Sequence, residues 1–264
     1  MISLSLFTQA GKETAKKQSR MTEFTISLAG IPLRIQALYP STRDYCRGYE
    51  SEVEPEETVV STAEKIMWEA QRCGTKEEPV FRISAQALER MAIHREIAEI
   101  LASRSVLLFH ASALAVDGEA ILFSGKSGIG KSTHARLWRE KMKDRVLMVN
   151  DDKPLLKVTK SDVIVYGSPW KGKEKLGNNL HFPVRAICFL ERAEDNRINR
   201  ISAWDAFPLM VKQSYIPLSN EKRYITIEMI ERILAAKPAF RLFCNNLKPD
   251  AAEIACRGIG VQMT

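Results

Sequence analysis

The stretch that decides the reading of this chain is "EAILFSGKSGIGKST", residues 119–133. It is an apolar, strand-like run that breaks into a glycine-rich turn and ends on Lys131, Ser132 and Thr133. Residues 125–132 fit G-x-x-x-x-G-K-[ST], a pattern that arises by chance in roughly one chain of this length in a hundred. The physical case is specific. Gly125, Gly128 and Gly130 let the backbone turn several N–H groups toward one point, with Lys126, Ser127 and Ile129 between them. The helix expected from about Ser132 to Lys143 adds its positive N-terminal end. Lys131 is placed to reach the β- and γ-phosphates of a nucleotide, and the hydroxyl of Ser132 to ligate Mg²⁺. The loop is expected to bind a nucleotide.

On the C-terminal side, "DRVLMVNDD" reads as a buried strand ending in Asp151 and Asp152. Two carboxylates at a strand end point in different directions. One could hold Mg²⁺ while the other accepts a proton from an incoming hydroxyl. On the N-terminal side, "VLLFHASALAVDGEAILFSG" (106–125) holds two apolar runs around Asp117–Gly118, a strong hairpin signal. His110 interrupts the first run. By itself it reads more readily as a hydrogen-bonded core residue than as a functional one.

Further out, "FTISLAGIPLRIQAL" (24–38) alternates around a glycine as a hairpin does. "STRDYCRGYESEVEPEETV" is acidic and turn-rich and reads as loop; "STAEKIMWEAQRC" (61–73) reads as helix, with Ser61 or Thr62 as N-cap. "EPVFRIS" is a candidate strand, and 85–104 an amphipathic helix carrying Leu88, Met91, Ile97 and Leu101. "PLLKV", "DVIVYGS", "VRAICFLER" and "AFRLFCN" are strand-like, 169–183 a polar loop, 203–213 and 225–236 helices, and "PDAAEIACRG" a terminal helix with Pro249 near its start. Trp68 and Trp204 are expected in a core or an interface. The fold class is mixed α/β, with strands often adjacent in sequence rather than strictly alternating with helices. Residues 1–20 read as a disordered leader or a misplaced start, 21–104 as an N-terminal β/α portion, and 105–264 as the nucleotide-binding core.

Composition excludes several classes. The 264 residues carry a net charge of +7, with 45% hydrophobic and 27% charged residues, an ordinary globular balance. Lys and Arg are spread along the chain without a helix-turn-helix, zinc-finger or RNA-binding signature, which argues against a nucleic-acid partner. No stretch approaches the ~20 apolar residues of a transmembrane helix, so no membrane partner is expected. The five cysteines are odd in number and scattered, as in a reduced cytoplasmic protein.

Taken together, "FHASALAVDGEAILFSGKSGIGKST" followed by "VNDD" resembles the kinase domain of HPr kinase/phosphorylase and, more distantly, ATP-dependent phosphoenolpyruvate carboxykinase. Both families join a His-bearing strand to the phosphate loop through a short hairpin and place an Asp pair on the next strand. The resemblance is strong over 106–157 and weak beyond. It implies a phosphoenolpyruvate carboxykinase-like P-loop fold, that of the HPr kinase C-terminal domain, with His110 near the transferred phosphate or its metal. It implies that Gly125 to Ser132 cradle the phosphates, that Ser132 and Asp152 hold Mg²⁺, and that Asp151 is the base; the order of the two aspartates stays open. "GSPWKGKEKLGNN" is similar to a segment in smaller HPr-kinase-like proteins of bacterial gene clusters, where Lys171 and Lys173 would neutralise charge on the transferring group. Glu174, Asn178 and Asn179 are weaker candidates there. The family's regulatory N-terminal domain is not recognisable in 1–105, nor is its second signature segment, so HPr is not carried over as substrate. The expectation is an ATP- and Mg²⁺-dependent kinase acting on a hydroxyl, either a serine of a protein or peptide or a small metabolite. The alternative is a nucleotide-binding regulatory protein without catalysis. The family's symmetric oligomers carry over as an expected homo-oligomer.

Overall fold

A computed structural model describes residues 21–73, 83–245, 248 and 250–263. The expected leader, most of "EPVFRIS" and Pro249 lie outside the described residues. The chain divides into two compact units, 1–97 and 98–264, and the division falls inside one helix.

In the first unit, β1 (Thr22–Leu28) and β2 (Ile31–Ala37) form the antiparallel hairpin expected from the alternation. Ala29 and Gly30 both take positive φ at its turn (52° and 77°), the conformation a two-residue hairpin requires. Two elements sit inside the stretch expected as loop: α1 (Ser41–Tyr45) and β3 (Glu57–Val60), the latter parallel to β2. Distant partners hold both. Glu89, wholly buried on α3 (Ala85–Ala102), accepts hydrogen bonds from the Leu38 and Tyr39 N–H groups and from the Thr42 hydroxyl. Only a tertiary contact of this kind stabilises so short a helix. The helix α2 (Ala63–Cys73) is capped by Thr62, whose Oγ1 accepts from Lys65 N at 3.3 Å. On α3 the buried apolar side chains are Leu88, Ala92, Ile93, Ile97, Ala98, Leu101 and Ala102, while Met91, expected with them, is exposed.

The second unit is built on one curled nine-stranded sheet. In chain order the strands are β4 (Val106–Leu108), β5 (Ala111–Val116), β6 (Glu119–Ser124), β7 (Val146–Asn150), β8 (Leu155–Val158), β9 (Val163–Tyr166), β10 (His181–Arg192), β11 (Arg197–Ile201) and β12 (Ala239–Cys244). Their spatial order is β4-β8-β9-β10-β6-β5-β7, with β12 also pairing β10 and β11 pairing β12. The helices are α4 (Lys131–Met142), α5 (Ala203–Gln213), α6 (Asn220–Ala236) and α7 (Ala251–Ile259). The fold is mixed α/β. β5 and β6 are antiparallel through Asp117–Gly118, while β10 runs parallel to both β6 and β12.

Alternation along the central strands sends side chains into two cores. Ala113, Ala115, Ala120 and Leu122 meet Ala206 and Met210 of α5 and Met229, Ile230 and Ile233 of α6. Leu114, Val116, Ile121 and Phe123 meet Ala135, Trp138 and Met142 of α4 and Ala252, Ala255 and Cys256 of α7. A strand buried on both faces reads as a continuous apolar run, which is why "EAILFS" and "VRAICFLER" stood out. Each fully buried Leu, Ile, Val or Phe contributes about 1.5–3 kcal/mol of transfer free energy, so the sheet's two faces hold most of this unit's stability.

Several boundaries differ from the sequence reading. The apolar run containing His110 splits into β4 and β5, because His110 N–H donates to Gln213 O (2.8 Å) instead of joining a ladder. β10 starts at His181, inside the segment expected as loop, because its first three residues pair with β9. β11 has a charged, largely exposed sequence (RINRI) that gives no apolar alternation; pairing with β12 makes it a strand. α6 begins five residues early, where Ser219 Oγ accepts from Lys222 N. Trp204 is 87% exposed and is therefore not a core residue. Among the described residues, no helix is long and apolar enough to cross a membrane.

Candidate functional site

The glycine-rich loop leaves the end of β6 beside β10. Gly125, Gly128 and Gly130 adopt φ of 146°, 73° and 111°. At Gly125 the constraint is steric as well, since a β-carbon there would lie 3.2 Å from Leu190 O and 3.3 Å from Ile129. Ile129 is buried in the core beneath α4 and anchors the loop, while Arg192 clamps it from the end of β10 by donating to Gly128 O at 2.7 Å. Lys131, Ser132 and Thr133 form the first turn of α4. Lys131 is largely buried and folds back over the loop, its Nζ donating to Gly125 O (2.9 Å) and Lys126 O (3.4 Å). Burial lowers its pKa and Asp152 works against that shift.

The second part comes from the end of β7. Asp152 accepts from His110, with Oδ1 at 3.1 Å from Nε2, and pairs with Lys153, whose Nζ lies 3.0 Å from Oδ2. Burial alone would raise the Asp152 carboxyl, but the His110 hydrogen bond and the Lys153 charge outweigh it and leave the pKa at about 2. The strands join these residues directly. Ala111 N–H donates to Asp152 O (3.1 Å), and Ser124 Oγ, one residue before the loop, donates to His110 O (2.8 Å).

Asp151 has a different role in the architecture. It is 3% exposed; Oδ1 accepts from Gly172 N at 2.6 Å and Oδ2 from Leu176 N at 3.3 Å. Burial raises its pKa against these hydrogen bonds. The segment 171–177, with Lys171 and Lys173, is thereby tied to the end of β7, and Asn178 adds a bond from Nδ2 to Met148 O at 2.8 Å. Gly172 is required by space: a β-carbon there would lie 3.1 Å from Asp151 Oδ2 and 3.3 Å from Asp152 Cβ. Glu174 pairs with Arg139 of α4 at 3.5 Å.

Thus Lys131, Asp152 and His110 share one neighbourhood, and the backbone of the segment that carries Lys171 and Lys173 is tied to its edge through Asp151. Three contributors were missed. Lys153 follows the Asp pair immediately. Arg192 closes a buried strand with a charge. Asn150, wholly buried, shapes the Asp152–Lys153 turn by accepting both their N–H groups (2.8 and 2.6 Å) while donating to Ser168. A polar residue closing an apolar strand was the available signal for the last two.

The family described as "SynChlorMet cassette protein ScmC" matches residues 82–233, more than half of the chain. The chain belongs to the ScmC family. That match spans the glycine-rich loop, the Asp pair and the basic segment of this ScmC-family chain. No curated protein matches it. Among solved structures, the HPr(Ser) kinase/phosphatase from Coxiella burnetii is similar at 14% identity, covering 57% of this chain and 95% of that one with a TM-score of 0.35. A likeness that loose is distant and carries no argument about the chemistry.

Proposed function

We propose that this ScmC-family chain is an ATP- and Mg²⁺-dependent phosphotransferase that moves the γ-phosphoryl group to a hydroxyl, on a P-loop fold of the HPr kinase and phosphoenolpyruvate carboxykinase kind. One observation carries the reading: a glycine-rich loop with its lysine at a helix start and a carboxylate–histidine–lysine cluster lie together at the ends of neighbouring strands. In this reading Lys131 leaves the carbonyls of Gly125 and Lys126 for the β- and γ-phosphates, and backbone N–H groups of 125–132 take the remaining oxygens.

Ser132 and Asp152 offer oxygen donors, the type a hard divalent cation takes, with nucleotide phosphates completing its shell. When bound, Mg²⁺ supplies charge neutralisation to the phosphates. His110 orients the Asp152 carboxylate. Lys171 and Lys173 neutralise the equatorial oxygens of the transferring group.

Asp151 takes the hydroxyl proton. Its raised pKa supports this role, because a general base works best nearer the working pH. Its long 3.3 Å bond from Leu176 N leaves Oδ2 the less committed oxygen. The acceptor is a serine of a protein or peptide, or a small hydroxylated metabolite. The five free cysteines support a reducing, cytoplasmic setting.

The test is calorimetric titration of MgATP into wild type and Asp152→Asn, followed by transfer from γ-labelled ATP to a panel of peptides and hydroxylated metabolites. Binding lost in the variant and label transferred by wild type support the kinase. Binding with no transfer to any acceptor favours a nucleotide-dependent regulator, and no binding at all removes the reading.

A further inference from the structure

A cavity of about 380 Å³ opens beside the glycine-rich loop, between the loop, the end of β10 and the last turn of α5. We propose that it seats the base and ribose of the nucleoside triphosphate, an inference that rests on the phosphotransferase reading above. Its size lies in the ~300–1,000 Å³ range of small-ligand clefts.

Its walls have two characters. Ile129, Phe189, Leu190 and Leu209 form an apolar slot of the kind a planar base fills. Lys126 and Lys212 lie at its edge together with Arg192, which already holds the loop through Gly128 O. Lys126 belongs to the glycine-rich loop, whereas Lys212 stands on α5 three residues after Leu209, on the same wall of the cleft. Glu191 on the same wall is paired with Arg241 at 3.1 Å, so its charge does not oppose an anion.

Strand order decides which half of the reaction this cavity serves. Across the sheet the neighbours run β7, β5, β6, β10. Asp151 and Asp152 follow β7 and His110 precedes β5; the glycine-rich loop follows β6, and the cavity lies at the end of β10. The loop therefore separates the carboxylates from the cavity. In-line phosphoryl transfer sets the incoming hydroxyl and the leaving nucleotide on opposite sides of the transferred group. With the base on the β7 side, the leaving nucleotide extends toward β10. Gln213 makes the wall continuous with the chemistry, since its carbonyl accepts the His110 N–H at 2.8 Å.

The experiment compares MgATP with magnesium tripolyphosphate, which has the phosphates and no nucleoside. Both are titrated calorimetrically into wild type, Leu209→Trp and Lys212→Glu, with unfolding followed by circular dichroism. Leu209→Trp, which fills the slot, is expected to weaken MgATP at least tenfold while leaving tripolyphosphate within twofold of wild type. Lys212→Glu changes an exposed side chain and keeps the fold. It is expected to weaken MgATP several-fold and more than tripolyphosphate, and it carries the test if the tryptophan variant does not fold. Equal losses for the two ligands, or unchanged MgATP affinity in the folded variants, overturn the nucleoside site and leave the phosphotransferase reading standing. A wild type that binds neither ligand overturns both.

Discussion

Two loops flank the candidate site, and they are held by opposite means. The glycine-rich loop, 125–130, is largely self-determined: three glycines take its positive φ values, and its own lysine closes back on its carbonyls. The basic loop, 171–177, has a single internal turn bond, from Lys175 N–H to Gly172 O at 3.1 Å. A carboxylate more than twenty residues earlier in the chain holds it, with Asp151 accepting from Gly172 and Leu176. A loop made of backbone conformational preference can be read locally. A loop held by the side chain and backbone of a distant strand end depends on where that strand lies.

The sharpest break of this comparison is Asp151→Asn. It removes the proposed base and also turns an amide donor toward one of two backbone N–H groups. Turnover is expected to fall by about 10²–10⁴-fold, while the glycine-rich loop, which does not use Asp151, keeps MgATP affinity within a few-fold. Turnover equal to wild type would remove Asp151 as base. Lys131→Ala acts on the other loop. Loss of a charge-assisted hydrogen bond costs about 1.5–3 kcal/mol, or roughly 10–150-fold in Kd; calorimetry with MgATP checks it, and an unchanged Kd would deny the loop its phosphate.

Gly172→Ala is a smaller perturbation. Its φ is unexceptional, so only space is at issue, with the new methyl 3.1 Å from Asp151 Oδ2. Turnover is expected to fall several-fold with MgATP affinity unchanged. A matching loss of affinity would mean the two loops are not independently held.

The smallest effect is on stability against pH, where the adjacent aspartates differ in sign. Asp152 has a folded pKa of about 2, below its unfolded value near 3.9. Its contribution is therefore present above about pH 4 and lost as pH falls toward 2. Asp151 has a raised folded pKa, so its contribution is present at low pH and lost as pH rises through that value. Urea unfolding between pH 2 and 6 is expected to give a shallower acid loss in Asp152→Asn than in wild type.

The legibility of the molecule follows the same division. The hairpin through Asp117–Gly118, the glycine-rich loop and the Asp-terminated strand were readable because each is specified by residues within about ten positions of one another. β11 was not, since its charged sequence becomes a strand only by pairing with β12. Nor was α1, whose five residues are fixed by Glu89 from another helix. In the site, His110 was ambiguous because a histidine within an apolar run fits a core as well as a ligand. Its place was decided by Asp152, which sits forty-two positions later and 3.1 Å away.

By itself the sequence determined that a strand feeds a glycine-rich turn into a helix start, because glycine's missing β-carbon and the helix's free N–H groups are properties of local chain. It determined also that two carboxylates end the following strand. Only the tertiary structure decided that one of them turns to His110 and Lys153 while its neighbour turns to the backbone of 172 and 176. Successive side chains at a strand end diverge, and what each meets depends on segments that arrive from elsewhere in the sheet.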